Sequence, residues 1–233
     1  MTWWYAVTEA KHEIQNPTSA EKIRLLGERL ELGPSSRVLD IASGKGGPAR
    51  ILVGQFGCRI TCVERAPEFV AVAREQPMEQ IEVVEADAKD FPIEPKYDAA
   101  LCIGATFAYG GLVETLTALK PAAPLLAVGE PYWREWPLPA GFELEEGEDF
   151  VTLPETVALI ESTGVEVVNL IASSQDDWDR YSSLHWLVLA EWLATNPDAP
   201  EADEFRARGR HYKERYLRWI RDLMGWAIFI CRT

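Results

Sequence analysis

A glycine-rich turn between a predicted strand and a predicted helix constrains the fold more than any other feature. Arg37–Ile41 is a short apolar run with an acid near its end, and it leads into Ala-Ser-Gly-Lys-Gly-Gly at residues 42–47. Pro48 then suits the first turn of a helix. Such a turn presents backbone N–H groups and a positive helix end at the carboxyl edge of a parallel sheet. The turn therefore predicts an α/β fold with a ligand site at that edge.

Strands and helices alternate along most of the chain, as in a parallel sheet covered on both faces. Helices are predicted at 48–56, 67–75 and 155–162, and an earlier one begins where Thr18 and Glu21 match a capping box. The predicted strands are 37–41, 58–64, 81–85, 97–103, 125–130, 165–172 and 226–231. We expect an α/β fold with a doubly wound sheet of seven strands.

A helical insertion is predicted at residues 174–224, between the last two strands. Two stripes of large side chains recur at spacings of three and four residues, which places each stripe on one helical face. They are Trp178, Tyr181, His185, Val188 and Trp192, then Tyr212, Tyr216, Trp219 and Leu223. We interpret the insertion as a helical lid over the sheet, within a single domain spanning 1–233. Alternatively, most of these aromatic residues only form the seam between two helices.

Charge and cysteine content exclude several classes of partner. The 233 residues include 37 acidic and 23 basic side chains, and the formal charge of −14 repels phosphate backbones and anionic lipids. No apolar run reaches the ~18–20 residues that span a bilayer, and no signal-peptide pattern is present at the start. The four cysteines form no CxxC pair, and the three histidines lack zinc-ligand spacing. We expect a cytoplasmic protein with reduced cysteines and no metal, which binds neither nucleic acid nor membrane.

The glycine turn by itself is compatible with two kinds of ligand. Residues 44–49 match G-x-G-x-x-A, and Glu64 follows Gly44 by 20 residues, as in a nicotinamide dinucleotide site. Asp40 argues for a different ligand, because an acid beside a pyrophosphate is unfavourable but can hold an ammonium group. Asp87 offers a carboxylate to an exocyclic amine. These acids favour a nucleoside that carries an amino group.

Four segments in order resemble the motifs of class I S-adenosylmethionine-dependent methyltransferases. Residues 38–46 resemble the D-x-G-x-G-x-G motif, and 62–64 resemble the second-strand segment whose acid holds the ribose. Residues 87–88 are similar to the adenine-binding pair, and 97–104 to the fourth-strand motif beside the reacting methyl. Small-molecule enzymes of the type-11 kind look most similar. Ala42 departs from the usual glycine, and an alanine fits this position if the backbone there keeps a negative φ.

The resemblance implies the cofactor, its binding residues and the direction of the last strand. It implies S-adenosyl-L-methionine as the cofactor and an antiparallel last strand in a mostly parallel sheet. His12, Gln15 and Asn16 are expected to fold over the cofactor from the side opposite the lid. The predicted cofactor-binding residues are Asp40, Ala42, Ser43, Gly44, Gly46, Glu64, Arg65, Asp87, Ala88, Ile103 and Gly104.

Candidates for the acceptor site come from the aromatic residues of the insertion and from the fifth strand. We predict that Tyr132, Trp133, Trp178 and Tyr181 contact the acceptor, although core packing explains each of them equally well. His185 and Glu130 are the candidate catalytic residues. His185 alternatively is a packing residue, and Glu130 alternatively caps a turn.

These patterns predict methyl transfer to a small-molecule acceptor by in-line displacement. Two alternatives stay open on the sequence. One is a nicotinamide-dependent oxidoreductase that uses the same glycine turn. The other is a protein that binds S-adenosylmethionine without turnover.

Overall fold

Seven strands form one sheet in the order β3-β2-β1-β4-β5-β7-β6. The structure, a computed structural model, describes residues 3–94 and 96–233. Neighbouring pairs are parallel from β3 to β5, whereas β7 is antiparallel to both β5 and β6. The strands are β1 (Arg37–Ile41), β2 (Arg59–Glu64), β3 (Ile81–Glu85), β4 (Ala99–Ile103), β5 (Leu125–Trp133), β6 (Glu166–Ala172) and β7 (Met224–Arg232). The predicted fold class is confirmed.

Helices cover both faces of the sheet. They are α1 (Trp4–Thr8), α2 (Ala20–Arg29), α3 (Gly47–Phe56), α4 (Pro67–Glu75), α5 (Leu112–Leu119), α6 (Leu153–Ser162), α7 (Gln175–Thr195), α8 (Ala202–Arg215) and α9 (Arg221–Leu223), with a π-helical turn at Tyr216–Ile220 between α8 and α9. None of the helices in the described ranges is long and apolar enough to cross a membrane.

Apolar strands explain why the centre of the sheet is buried on both faces. All five residues of β4 are buried, as are Val38, Leu39, Asp40 and Ile41 in β1. Separate clusters of apolar side chains lie on the two faces, one around Leu52 and Trp133 and the other around Leu116 and Phe229. Burial on both sides is typical of parallel strands in α/β proteins. The four cysteines are buried and free.

Several boundaries differ from the sequence predictions. The N-cap of α2 is Ser19, whose side chain accepts a hydrogen bond from the Lys22 backbone N–H, so the predicted capping box at Thr18 is wrong. Helix α1 has no counterpart in the predictions, because its five residues are too short for a periodic pattern. Strand β5 continues past Glu130 to Trp133, since β7 pairs with it along its whole length.

The insertion between β6 and β7 contains α7, α8 and α9, as predicted. The capping box of α7 is formed by Ser174 and Asp177, and Asp177 also forms an ion pair with Lys22 of α2. Asp179 binds Arg221 through two hydrogen bonds of 2.9 Å and accepts another from the Tyr216 hydroxyl at 2.6 Å. These contacts attach the start of α7 to α2 and to the end of the insertion.

Candidate active site

A cavity of about 810 Å³ lies at the carboxyl edge of β1, β2 and β4. Its walls come from the glycine turn, from the loops after β2, β3 and β4, and from residues 3–16, which we call the N-terminal segment. Helix α7 adds Tyr181 to the wall. The ends of parallel strands at such an edge are the usual ligand site of doubly wound sheets. Ten of the eleven predicted cofactor residues line it: Asp40, Ala42, Ser43, Gly44, Glu64, Arg65, Asp87, Ala88, Ile103 and Gly104.

The glycine turn is held in a left-handed conformation. Ala42 has φ of 54°, Gly44 of 57° and Gly46 of 72°. Ala42 therefore lacks the negative φ under which an alanine would fit this turn without strain, and it occupies a region that favours glycine. Gly46 caps α3 and lies outside the cavity wall. The positive φ is sufficient to explain why a glycine occupies position 46, and no contact with a ligand is needed.

Residues 13–16 of the N-terminal segment pack directly on Gly44, Gly47 and Gly104, and a Cβ at Gly44 would lie 2.2 Å from Gln15 Oε1. A Cβ at Gly47 would lie 1.8 Å from the Glu13 carbonyl oxygen, and a Cβ at Gly104 would lie 1.8 Å from Asn16 Oδ1. Gln15 Oε1 accepts a hydrogen bond of 2.8 Å from the Lys45 backbone N–H, and Asn16 Nδ2 donates one of 2.9 Å to the Ile103 carbonyl. These glycines thus make room for residues 13–16.

Glu64 at the end of β2 organises the turns beside it. One carboxylate oxygen accepts from the Gly44 N–H at 2.9 Å, and the other accepts from the N–H groups of Arg65 and Ala66 at 2.9 and 2.8 Å. The carboxylate thereby links the glycine turn to the start of α4. Its position on the cavity wall leaves it within reach of a ligand.

Asp40 carries an unusual protonation equilibrium. The residue is 3% exposed, and burial together with the nearby charge of Glu64 raises its pKa to about 7. A cation placed beside Asp40 would favour the charged form, because it compensates the lost hydration. Asp40 is therefore suited to an ammonium group.

A cluster of polar side chains links the N-terminal segment to α7 at the side of the cavity. Glu9 Oε1 accepts a hydrogen bond of 3.0 Å from the Tyr181 hydroxyl and lies 2.7 Å from His185 Nε2. His12 Nε2 lies 3.0 Å from the Tyr181 carbonyl oxygen. Burial opposes the charge of Glu9, but its interactions with His185 lower the pKa of Glu9 below the usual value. Glu9 and Tyr181 line the cavity, whereas His185 reaches it through Glu9.

The structure keeps three of the four acceptor candidates away from the cavity. Tyr132 and Trp133 lie in the extension of β5, where Tyr132 packs on Gly225 and Trp133 is fully buried. Trp178 is buried in the same apolar cluster as Trp133, with its ring near that of Tyr216. Their positions correspond to core packing. Tyr181 is the candidate that reaches the cavity.

Glu130, the second catalytic candidate, lies next to the cavity wall. Its carboxylate accepts a hydrogen bond of 2.9 Å from the Thr106 hydroxyl, and Thr106 follows wall residue Ala105. Burial raises the pKa of Glu130 to about 7, and the charge of Asp149 adds to this effect. A catalytic role for Glu130 stays a prediction.

The sequence interpretation missed Glu9 and the aromatic residues Trp3, Tyr5 and Phe69 of the cavity wall. The Trp3 and Phe69 rings are in contact, with centroids 5.0 Å apart, so residues before α1 touch α4. The available signal was the run of three consecutive aromatic residues at positions 3–5.

Comparisons with known proteins agree with this geometry. A family model described as a methyltransferase domain matches residues 38–129. A SAM-dependent methyltransferase from Thiobacillus denitrificans, solved with S-adenosyl-L-homocysteine, is 31% identical, with a TM-score of 0.90 over 100% of this chain and 99% of that one. Its counterpart from Geobacter sulfurreducens, solved with the same ligand, is 32% identical, with a TM-score of 0.92 over 100% and 98%.

A third relative is the uncharacterized protein YjhP of Escherichia coli. It is 34% identical over 97% of this chain and 96% of its own length. Its crystal structure gives a TM-score of 0.91 and covers 99% of each chain. The similarity to all three relatives therefore includes the N-terminal segment and the insertion as well as strands β1 to β5.

Proposed function

Because this chain belongs to the family of S-adenosylmethionine-dependent methyltransferases, we propose that its acceptor is a small molecule bound beside Glu9 and Tyr181. The family membership makes S-adenosylmethionine the cofactor and sets aside the nicotinamide alternative. The observation that carries the proposal is that Glu9 and Tyr181 line the cofactor cavity but belong to none of the four cofactor motifs. Their polar groups are therefore available to a second ligand.

The four acids of the cavity divide between the two ligands in this proposal. Asp40 binds the ammonium group of the cofactor, Glu64 the ribose hydroxyls, and Asp87 with Ala88 the adenine. Arg65 Nη1 lies 3.4 Å from Asp87 Oδ2, which holds the Asp87 side chain at the rim of the cavity. Glu9 is left for the acceptor side.

Methyl transfer from a sulfonium requires mainly alignment and exclusion of water. The leaving group is already good, so the enzyme must hold the acceptor atom about 3 Å from the methyl and in line with the breaking bond. The hydrogen bond between Tyr181 and Glu9 joins α7 to the N-terminal segment beside the cavity, and this contact supports a closed site. The closure favours an acceptor that fits inside the cavity.

Charge favours a neutral or cationic acceptor. Glu9, Asp40, Glu64 and Asp87 line the cavity together with the single guanidinium of Arg65. An anionic acceptor would be repelled by these carboxylates and by the net charge of −14. Amines are therefore the first class to test.

The experiment is a screen for release of S-adenosylhomocysteine with amines, phenols and thiols as acceptors. We expect turnover with at least one small molecule and a loss of that turnover in the Tyr181→Phe variant. Turnover that requires a protein or nucleic acid would contradict the proposal. Tight binding of S-adenosylmethionine with no release for any acceptor would instead support the alternative of a binding protein without turnover.

A further inference from the structure

Glu9, His12 and His185 form a compact cluster of potential metal ligands beside the cavity. One side-chain ligand atom from each lies within 4.8 Å of the other two. Glu9 and His12 are almost fully buried, and the side chain of His185 is 23% exposed. The cluster joins the N-terminal segment to α7, two parts of the chain that are far apart in sequence.

The hydrogen bonds of His12 leave two buried acceptors facing each other. His12 Nε2 lies 3.0 Å from the Tyr181 carbonyl oxygen, which can only accept, so Nε2 carries the proton. In a neutral ring Nδ1 is then an acceptor, and it lies 3.6 Å from Glu9 Oε2. Both atoms are buried, and neither makes a hydrogen bond to any part of the chain that the structure describes. The 3.6 Å between the two atoms is too long for a hydrogen bond, so a proton on Nδ1 would pair them poorly, whereas a metal ion between them would use both lone pairs.

We propose that Glu9, His12 and His185 bind a divalent transition-metal ion, with zinc as the expected occupant. Two imidazole nitrogens and one carboxylate form a ligand set that zinc accepts and that magnesium does not prefer. His12 Nδ1 lies 3.6 Å from Glu9 Oε2, and His185 Nε2 lies 2.7 Å from Glu9 Oε1, so the two histidines face different oxygens of one carboxylate. Ligand atoms of tetrahedral zinc lie roughly 3.3 Å apart, so binding requires a small movement in which the ion replaces the hydrogen bond between His185 and Glu9.

The surroundings of the cluster resemble the support that metal ligands need. A ligating histidine usually donates its other ring N–H to a carbonyl or carboxylate, as His12 does to the Tyr181 carbonyl. The Tyr181 hydroxyl in turn donates to the Glu9 carboxylate. Because Glu9 and Tyr181 line the cavity, a fourth position on the ion would face the cavity, where a nitrogen, oxygen or sulfur atom of a ligand can reach it.

The metal site goes beyond the proposed function and does not depend on it. An ion there would hold the N-terminal segment against α7 with or without an acceptor. Sequence spacing concealed the site, because its ligands are residues 9, 12 and 185 and match no short zinc motif.

The test is a metal titration of the untagged, metal-stripped protein, with no acceptor present. We expect one equivalent of Co²⁺ to bind and to produce the visible absorption of a low-symmetry site. We also expect one equivalent of Zn²⁺ to abolish that absorption, and Mg²⁺ to have no effect. Elemental analysis of the zinc-loaded protein should give one ion per chain. Absence of stoichiometric binding would overturn the proposal.

Variants of the three histidines test which residues bind the ion. His12→Gln and His185→Gln should each weaken binding by more than about 100-fold, since second-shell changes alone cost about 10- to 100-fold. The control is His211→Gln, because His211 forms an exposed pair with Glu145 at 2.6 Å and lies in α8. This variant should keep the full titration.

Two outcomes would contradict the assignment of the ligands. One is retention of stoichiometric binding in both His12→Gln and His185→Gln, and the other is its loss in His211→Gln. Binding of S-adenosylhomocysteine serves as the check that each variant is folded. If a histidine variant does not fold, Glu9→Gln replaces it, with the same expected loss.

Discussion

The Tyr181 hydroxyl donates a hydrogen bond of 3.0 Å to Glu9 Oε1 across 172 residues of sequence. This contact connects α7 to the N-terminal segment at the wall of the cavity. The site therefore has two halves: the strand ends that carry the cofactor motifs, and a cover that forms only when α7 and the N-terminal segment meet.

Removing the Tyr181 hydroxyl tests the importance of the cover. Tyr181→Phe should lower the free energy of unfolding by about 1.5 kcal/mol, the lower end for a hydrogen bond to a charged group, since the pair is only partly buried. Methyl transfer should fall more than cofactor affinity does. Tyr212→Phe is the control, because the bond that the Tyr212 hydroxyl accepts from Arg208 is exposed and lies within α8. Equal rates of methyl transfer in Tyr181→Phe and Tyr212→Phe would contradict this role of the Tyr181 hydroxyl.

Ala42 should be replaceable by glycine with a gain in stability. Its φ of 54° places a Cβ in the left-handed region, at a cost of about 1 kcal/mol. Glycine loses about 0.5–1 kcal/mol more chain entropy on folding than alanine, so Ala42→Gly should raise the melting temperature by at most roughly 2 °C for a chain of this size. Ala66→Gly, at a cavity residue with φ of −78°, should give no such gain. Calorimetric melts of both variants check the prediction, and a lower melting temperature for Ala42→Gly would refute it.

Gly104 should not tolerate a side chain. Its φ is 76°, and a Cβ would overlap Asn16 Oδ1 at 1.8 Å. We expect Gly104→Ala to destabilise the protein by at least about 1 kcal/mol and to weaken cofactor binding, because Asn16 must move. Gly54→Ala is the matched control, since it lies in α3 with no atom within 4 Å of the added Cβ, and it should stabilise the helix. Unfolding and binding measurements that fail to separate the two variants would count against this packing.

The pH dependence of cofactor binding should report on Asp40. Its pKa of about 7 in the free protein lies above the usual value of 3.8 for an aspartate, so its favourable contribution to stability is complete below pH 4 and is lost as the pH rises through 7. An ammonium group requires the charged carboxylate. Affinity for S-adenosylmethionine should therefore fall by up to about tenfold per pH unit below 7.

Asp40→Asn separates these two effects. The free energy of unfolding of the variant, relative to that of the wild type, should be larger at pH 8 than at pH 5, because the variant removes a charge that is buried at pH 8. Its affinity for the cofactor should be weak and nearly independent of pH between 5.5 and 8. A wild-type affinity that is flat over this range would show that Asp40 does not bind the ammonium group.

Local patterns predicted the strand–turn–helix half of the protein because each signal is contained in a few residues. The acid at the end of β1, the glycine turn and the Pro67 start of α4 could be read directly. Asp40, Glu64 and Asp87 follow because successive parallel strands end at the same edge.

Contacts between distant segments could not be predicted in this way. Glu9 had no motif around it, and its partners Tyr181 and His185 come from an insertion more than 170 residues later. The extension of β5 depends on pairing with β7, which placed Trp133 in the core and away from the acceptor. The left-handed φ of Ala42 likewise follows from the packing around the turn and not from the preference of alanine.

Calorimetric titration with S-adenosylhomocysteine tests the central claim most directly, namely that the carboxyl edge of β1 to β4 binds the cofactor. The wild type should bind one equivalent. Glu64→Gln should bind roughly 10- to 150-fold more weakly, from about 1.5–3 kcal/mol for hydrogen bonds to a charged group. Glu82→Gln, at an exposed side chain of the neighbouring strand β3, should match the wild type. Equal affinity of a folded Glu64→Gln protein and the wild type would contradict this account of the site.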